Sequence, residues 1–212
     1  MNDDCLFCDK TKIKGLFAER RDQYINATPG QITDGGYLLV IQKEHASCLG
    51  ALNREQTSSF LRTTKEVCQA ISLEYQHSTT STPYPVTAFE HGIIGQSIKH
   101  AHLHILPTVI DLTERIRADF PTAEIEELQY AAHLQEQYSK RQEPYLFWTV
   151  PSGKSMACWN PKAKPQYLRL ITAELLKRPE RGNWRTMDPE LDEQLRTETI
   201  ARLESHFSEK YL

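Results

Sequence analysis

The chain has 212 residues and a formal net charge of −3, from 25 basic and 28 acidic side chains. Apolar residues make up 39% of it, which is enough for a folded core and argues against global disorder. The balanced charge excludes the broad basic face that an extended nucleic acid needs, but it does not exclude a single nucleotide in a local pocket. No window approaches the roughly 18 apolar residues of a membrane helix, and the start of the chain lacks the pattern of a signal peptide. We therefore expect no membrane association and a cytoplasmic location, where reducing conditions disfavour disulfides among the five cysteines.

The first half of the chain predicts mixed α and β structure. Residues 36–42 are a short apolar run with the length of a buried strand, and they follow a turn-rich segment. Residues 53–76 predict a helix, because a capping pair stands at the start and apolar side chains keep to one helical face. Two further strands are predicted over residues 86–90 and 98–106, with a turn between them.

The second half of the chain is predicted to be an extension of this first half. Its pattern predicts helices over residues 111–120, 124–140, 166–177 and 189–207, a strand over residues 145–150 and a loop over residues 151–165. We expect residues 1–107 to form one domain that carries the functional site. Residues 108–212 would be a mainly helical C-terminal extension packed on that domain.

Three histidines alternate with apolar residues near the end of the first half. Side chains on a strand point to opposite faces in turn, so His100, His102 and His104 are predicted to share one face. Like charges disfavour ionisation at such short spacing, and the three titrations should be coupled. Some of the rings should be neutral at pH 7, and a neutral imidazole is a competent nucleophile.

Two polar residues stand just before this strand. The amide of Gln96 and the hydroxyl of Ser97 can donate hydrogen bonds to phosphate oxygens or to a leaving group. Neutral donors and a neutral nucleophile suit attack on an anionic phosphorus atom. Two other interpretations remain open at this point: a solvated strand face with unrelated polar residues, and a metal site made of the three histidines.

The segment GQSIKHAHLHILP resembles the signature of the histidine triad (HIT) family, in which histidines alternate with apolar residues. The resemblance covers roughly residues 5–107. It implies an α+β fold with an antiparallel sheet and packed helices, usually as a homodimer. The family consists of nucleotidyl hydrolases and transferases, and residues 108–212 are similar to the C-terminal extension of some bacterial members.

The resemblance also assigns roles to residues. His102 would attack the α-phosphate of a nucleotide, such as a dinucleoside polyphosphate or a nucleoside phosphoramidate, and form a covalent nucleotidyl-histidine intermediate. His104 would contact the phosphate, and Gln96 and Ser97 would bind its oxygens or assist the leaving group. A non-catalytic nucleotide-binding module and a metal-dependent hydrolase are the alternative functions.

A cysteine pair at the start of the chain suggests a metal. Cys5 and Cys8 form a lone CxxC pattern, which is weak alone, but with His45 and His100 they would complete a tetrahedral structural zinc set. This arrangement resembles the zinc-containing branch of the HIT family, where the first histidine of the triad serves the metal. The competing interpretation is a reduced, unoccupied cysteine pair.

The resemblance is less complete in the nucleotide pocket. Asn26 is the best match to the residue that holds the ribose hydroxyls, and Ile25 could line the base. His91 has no role in this comparison and is expected to be a non-catalytic loop histidine. The pair Gly36-Tyr37 stands where the family often has glycine followed by histidine.

Overall fold

The computed structural model describes residues 5–75, 86–129 and 132–208. Its centre is one antiparallel sheet, in which the described residues form eight strands in the order β1-β2-β3-β5-β4-β7-β8-β6. The strands are β1 (Leu16–Glu19), β2 (Gln23–Ala27), β3 (Leu38–Gln42), β4 (Thr87–Gly92), β5 (His102–Leu106), β6 (Glu124–Leu128), β7 (Tyr145–Thr149) and β8 (Ser155–Trp159).

Helices cover both faces of the sheet. They are α1 (Arg54–Tyr75), α2 (Thr113–Asp119), α3 (His133–Arg141), α4 (Tyr167–Leu175) and α5 (Pro189–Leu203). The predicted α+β class with an antiparallel sheet is therefore confirmed. Within the described ranges, every helix is too short or too polar to span a lipid bilayer.

Helix α1 begins at the predicted capping pair. The side-chain oxygen of Asn53 accepts a hydrogen bond from the Gln56 amide at 3.0 Å, and the Gln56 side chain accepts one from the Asn53 amide at 2.9 Å. This reciprocal pair satisfies amide groups that have no partner inside the helix. The apolar face of α1 then packs on the sheet through side chains that include Phe60, Val67 and Ile71.

Strand register determines which side chains share a face. Ile25 pairs with Val40, and Val40 pairs with Leu103, so this row lies on the face that α1 covers. The neighbouring row contains Asn26, Leu39 and His104, and it points to the opposite face. The histidine face is therefore the one that α1 leaves free.

The extension continues the sheet. Strand β7 pairs with β4 in the register Phe89 with Trp148 and Glu90 with Phe147, and β8 and β6 follow it. The described part of the extension thus contains four α-helices and, in addition, three strands of the common sheet. The 36–42 and 53–76 predictions agree with β3 and α1, and the 145–150 prediction agrees with β7.

Two predictions in the extension are wrong. Residues 124–140 are not one helix, because residues 124–128 form β6 and the helix begins only at His133. The predicted loop over residues 151–165 contains β8. In both cases the strand is held by pairing with a partner distant in the chain, which local periodicity does not report. Strands β1 and β2 were not predicted at all.

A buried carboxyl group joins the extension to the first half of the chain. Glu90 is fully buried, and its oxygens accept hydrogen bonds from the Tyr145 hydroxyl at 2.5 Å and the Leu49 amide at 2.7 Å. Burial raises the pKa of Glu90 to about 8, although both hydrogen bonds act to lower it. The folded protein therefore holds a proton here that the unfolded chain releases near pH 4.5.

We expect the variant Glu90→Gln to change the pH dependence of folding. A raised folded pKa stabilises the protein fully below pH 4.5, and that contribution is lost as the pH rises through about 8. The free energy of unfolding of the wild type, relative to the isosteric Gln variant, should fall by up to about 1.4 kcal/mol per pH unit between pH 5 and 8. Urea denaturation at four pH values measures this difference, and parallel pH profiles for the two proteins would contradict it.

Candidate functional site

A cavity of about 440 Å³ opens on the histidine face of the sheet. It is lined by residues from both halves of the chain, among them Phe7, Asn26, His91, Ser97, His102, His104, Arg169 and Trp184. A second cavity of about 430 Å³ lies on the α1 face, and its mainly apolar lining includes no histidine. The cavity on the histidine face is the candidate site, because its lining includes imidazole rings and other side chains that can bind or attack a substrate.

His102 is held in one orientation by its own strand. Its Nδ1 lies 2.6 Å from the backbone carbonyl oxygen of His100, and a carbonyl oxygen only accepts, so Nδ1 carries the proton. The neutral ring then has its lone pair on Nε2. Burial lowers the pKa of His102 to about 4, which keeps the ring uncharged at pH 7.

His104 lies beside it on the same face, with 5.0 Å between the ring centroids. The ring of Phe89 stacks on it at 4.7 Å, and its Nδ1 lies 2.6 Å from the Tyr37 hydroxyl. Burial lowers the pKa of His104 well below the usual histidine value, and the neighbouring His102 adds to this effect. Two neutral imidazoles therefore face the cavity side by side.

His91 is a buried residue of the site and not the loop histidine that the sequence suggested. It lies on β4, its ring centroid is 5.8 Å from that of His104, and its Nε2 accepts a hydrogen bond from the Leu168 amide at 3.0 Å. Burial lowers its pKa to about 3. Period-two alternation in the strand, which places His91 on the same face as Phe89, is the signal that could have found it.

Asn26 and Ser97 line the cavity, as expected for a nucleotide pocket. Asn26 is held there because its amide nitrogen donates to the Lys14 carbonyl at 2.6 Å. Ile25 does not line the cavity. It is fully buried in the α1 core, because adjacent residues of a strand point to opposite faces and Asn26 takes the site face.

Gln96 also differs from its prediction as a phosphate ligand. Its amide nitrogen donates to the Ser47 carbonyl at 2.9 Å, and its side chain is not part of the cavity lining. The residue therefore ties the loop before β5 to the loop after β3. It positions Ser97 rather than contacting the cavity itself.

His100 does not line the cavity, and its ring lies next to the cysteine pair. Its Nδ1 lies 3.4 Å from the Cys5 sulfur and 3.7 Å from the Cys8 sulfur, while His45 Nδ1 lies 3.4 Å from Cys8. The four ligand atoms all lie within 4.8 Å of one another. Nitrogen and sulfur ligands of a tetrahedral zinc ion stand about 3.6 Å apart, so these residues could hold a metal ion.

A hydrogen bond outside this cluster sets the tautomer of His100. Its Nε2 lies 2.5 Å from the carbonyl oxygen of Gln42, so Nε2 carries the proton and the lone pair on Nδ1 faces the cysteines. Burial raises the pKa of the Cys8 thiol to about 11, and the neighbouring Cys5 adds to the increase. Such a thiol becomes a thiolate at neutral pH when a metal cation binds it.

The turn that carries Cys5 and Cys8 also contacts His102, the candidate nucleophile. Phe7 lies between Cys5 and Cys8, it is buried, and its ring centroid is 5.7 Å from that of His100 and 5.2 Å from that of His102. Phe7 thus contacts both rings, and among the described residues the compact ligand set includes His100 but neither His102 nor His104.

Comparison with known proteins agrees with this geometry. Residues 33–109 match the family model of the HIT domain, and they include β3, α1, β4 and β5. This part of the chain is similar to a HIT domain. No curated protein matches the chain significantly in sequence.

Several solved structures are similar to part of this chain. A HIT family protein from Bacillus anthracis is 25% identical, with a TM-score of 0.42, and the match covers 51% of this chain and 75% of that one. A hypothetical protein from Leishmania major is 27% identical with a TM-score of 0.42, covering 52% and 77%. A hypothetical histidine triad nucleotide-binding protein from Sulfolobus tokodaii is 21% identical with a TM-score of 0.40, covering 49% and 68%.

The hydrogen bond of His102 predicts its tautomer in solution. At pH 7 we expect the proton on Nδ1 and an unprotonated Nε2, and because burial lowers its pKa to about 4 the ring should stay neutral at pH 5. ¹⁵N NMR of the labelled histidines reports both properties. The urea-unfolded protein is the control, since its histidines titrate near pH 6.5. A proton on Nε2, or a charged ring at pH 6, would contradict the expectation.

Proposed function

We propose that the HIT domain of this chain is a nucleotidyl hydrolase or transferase in which His102 is the nucleophile. The observation that carries the proposal is the hydrogen bond from His102 Nδ1 to the His100 carbonyl, which leaves a neutral Nε2 with its lone pair in a cavity. A nucleophile needs an available lone pair, and burial keeps this one unprotonated at neutral pH.

The reaction follows from these groups. Nε2 of His102 attacks the α-phosphorus of a bound nucleotide, the new N–P bond forms, and the bond from phosphorus to the leaving group breaks. The ring gains positive charge, which the His100 carbonyl stabilises through the Nδ1 hydrogen bond. His104 contacts a phosphate oxygen, and Ser97 at the cavity rim donates to the leaving group. Water or a second acceptor then attacks phosphorus and releases His102.

The pocket suits one nucleotide. Its volume of about 440 Å³ lies within the range of small-molecule sites, and Asn26 offers a hydrogen-bonding side chain for ribose hydroxyls. Substrates in which phosphorus carries a good leaving group, such as dinucleoside polyphosphates and nucleoside phosphoramidates, are the class that this chemistry favours. The cytoplasmic location expected from the sequence stays a prediction. It is compatible with such substrates.

We expect His102→Ala to lose activity on every substrate that the wild type turns over, by on the order of 10³-fold or more, because a nucleophile acts in each turnover. Initial rates on dinucleoside polyphosphates, nucleoside phosphoramidates and adenylylated substrates measure this. His206→Gln is the matched control, because His206 contacts Glu74 at 2.7 Å and does not line the cavity.

A rapid quench should also trap the intermediate. Wild-type protein should gain the mass of one nucleotidyl group on His102, and His102→Ala should gain none. Nucleotide binding without turnover or adduct would identify a non-catalytic binding module instead. Equal rates for the wild type and His102→Ala would remove His102 from the mechanism.

The same proposal includes one structural zinc ion held by Cys5, Cys8, His45 and His100. The support is the compact ligand set and the tautomer of His100, which directs a lone pair at the two sulfurs. When bound, zinc would stabilise the turn that carries Phe7 and thereby the wall beside His102.

We expect about one zinc ion per chain by elemental analysis, as one Cys₂His₂ set binds one ion. Zinc should be retained in His102→Ala and lost in Cys5→Ala, which removes a ligand. Cys68→Ala is the control, because Cys68 is buried in the α1 core, away from this set. Loss of zinc from His102→Ala but not from Cys5→Ala would place the metal on the cavity histidines instead.

A further inference from the structure

The guanidinium group of Arg169 is buried in the cavity wall, in the first turn of α4. It donates hydrogen bonds to the Gly30 carbonyl at 2.7 Å, to the Gly182 carbonyl at 3.2 Å and to the Tyr37 hydroxyl at 2.9 Å. All three acceptors are neutral. Among the residues that the structure describes, no carboxylate forms an ion pair with this arginine.

A buried cation with only neutral partners is costly to the fold, and an anion that reaches it recovers part of that cost. The neighbouring cavity is where such an anion can enter. Gly30 makes the contact tight, because its φ is +75° and a Cβ there would lie 2.5 Å from Arg169 Nη2. The backbone at Gly30 therefore packs directly against the guanidinium group of Arg169.

Tyr37 transmits the effect of Arg169 to a histidine. Arginine can only donate, so the Tyr37 oxygen accepts its N–H, and the hydroxyl proton is left for His104 Nδ1 at 2.6 Å. Burial raises the pKa of Tyr37 to about 12, so the phenol keeps its proton at neutral pH. His104 Nδ1 accepts, and the proton of the neutral ring therefore sits on Nε2.

The two cavity histidines then have opposite tautomers. His102 has its lone pair on Nε2, as attack requires, whereas His104 has a proton on Nε2, as donation to a phosphate oxygen requires. The backbone carbonyl of His100, just before β5, sets the first tautomer, and a side chain of the extension sets the second through Tyr37.

We propose that Arg169 and Tyr37 are positioning residues for the phosphate group: they fix His104 as a neutral Nε2–H donor and place one buried positive charge beside the anion. The inference rests on the proposed function for the identity of the substrate. The extension is then a part of the phosphate site and not only a structural addition.

The first test measures the tautomer of His104 and needs no substrate. In wild-type protein, ¹⁵N NMR should show the proton of His104 on Nε2. In Tyr37→Phe, Nδ1 loses its donor, and the Nε2–H tautomer should no longer be the single form. Tyr167→Phe is the matched control, because the Tyr167 hydroxyl lies on the same helix as Arg169 but donates to Asp119 at 2.8 Å. An unchanged backbone amide spectrum shows that each variant is folded.

The second test measures binding and turnover. Inorganic phosphate should bind Tyr37→Phe and Arg169→Lys about 10-fold or more weakly than wild type, because a hydrogen bond to a charged group is lost or displaced. For a substrate that the wild type turns over, kcat/KM should fall about 10- to 100-fold in Tyr37→Phe, mainly through kcat. Tyr167→Phe should match wild type in both measurements.

The outcomes separate this inference from the proposed function. If His104 keeps its Nε2 proton in Tyr37→Phe, or if phosphate binds both variants as tightly as wild type, the inference is overturned. If wild-type protein turns over no substrate of the panel, the proposed hydrolase or transferase fails, while the tautomer and phosphate binding still decide the role of Arg169 and Tyr37.

Discussion

The backbone pairing of β4 with β7 is the constraint on which the rest of the molecule depends. It joins the C-terminal extension to the strands of the first half of the chain, so that both halves share one layer of strands. From there the chain leads into α4, whose first turn brings the Leu168 amide to His91 and the Arg169 guanidinium to Tyr37. Part of the cavity wall is therefore built by the extension.

The cavity shows how one sheet face can give two identical side chains different tautomers. Burial makes both His102 and His104 neutral, which removes charge as a difference between them. What distinguishes the rings is the partner of Nδ1. In His102 this partner is a carbonyl oxygen, which accepts a hydrogen bond, and in His104 it is the Tyr37 hydroxyl, which donates one. Hydrogen-bond partners therefore assign opposite tautomers to the two rings, which is the difference that the proposed mechanism uses.

Much of the site could be predicted from sequence, because its central residues are close together in the chain. The alternation of His102 and His104 with apolar residues specifies their common face, and the capping pair of α1 specifies a helix start. The register of distant strands could not be predicted. It decides that Asn26 faces the cavity and Ile25 does not, and it creates β6 and β8 from segments whose local pattern indicates helix and loop. Arg169 could not be identified either, since its role arises from contacts with residues more than a hundred positions away.

The same pairing that builds the site also limits how copies of this chain can associate. One side of β4 is occupied by β7, and the outer strands of the sheet are β1 and β6. Strand β6 carries Glu124, Glu126 and Glu127, of which the first and last have more than half of their side-chain surface exposed. Each of these carboxylates is paired with a cation of the extension: Glu124 and Glu126 with Arg141, and Glu127 with Lys154. A second strand laid beside β6 would have to displace these ion pairs, so the charged side chains protect this edge. The homodimer that the family resemblance led us to expect stays a prediction, and the ion-paired border at β6 favours β1 or a helical surface as its contact.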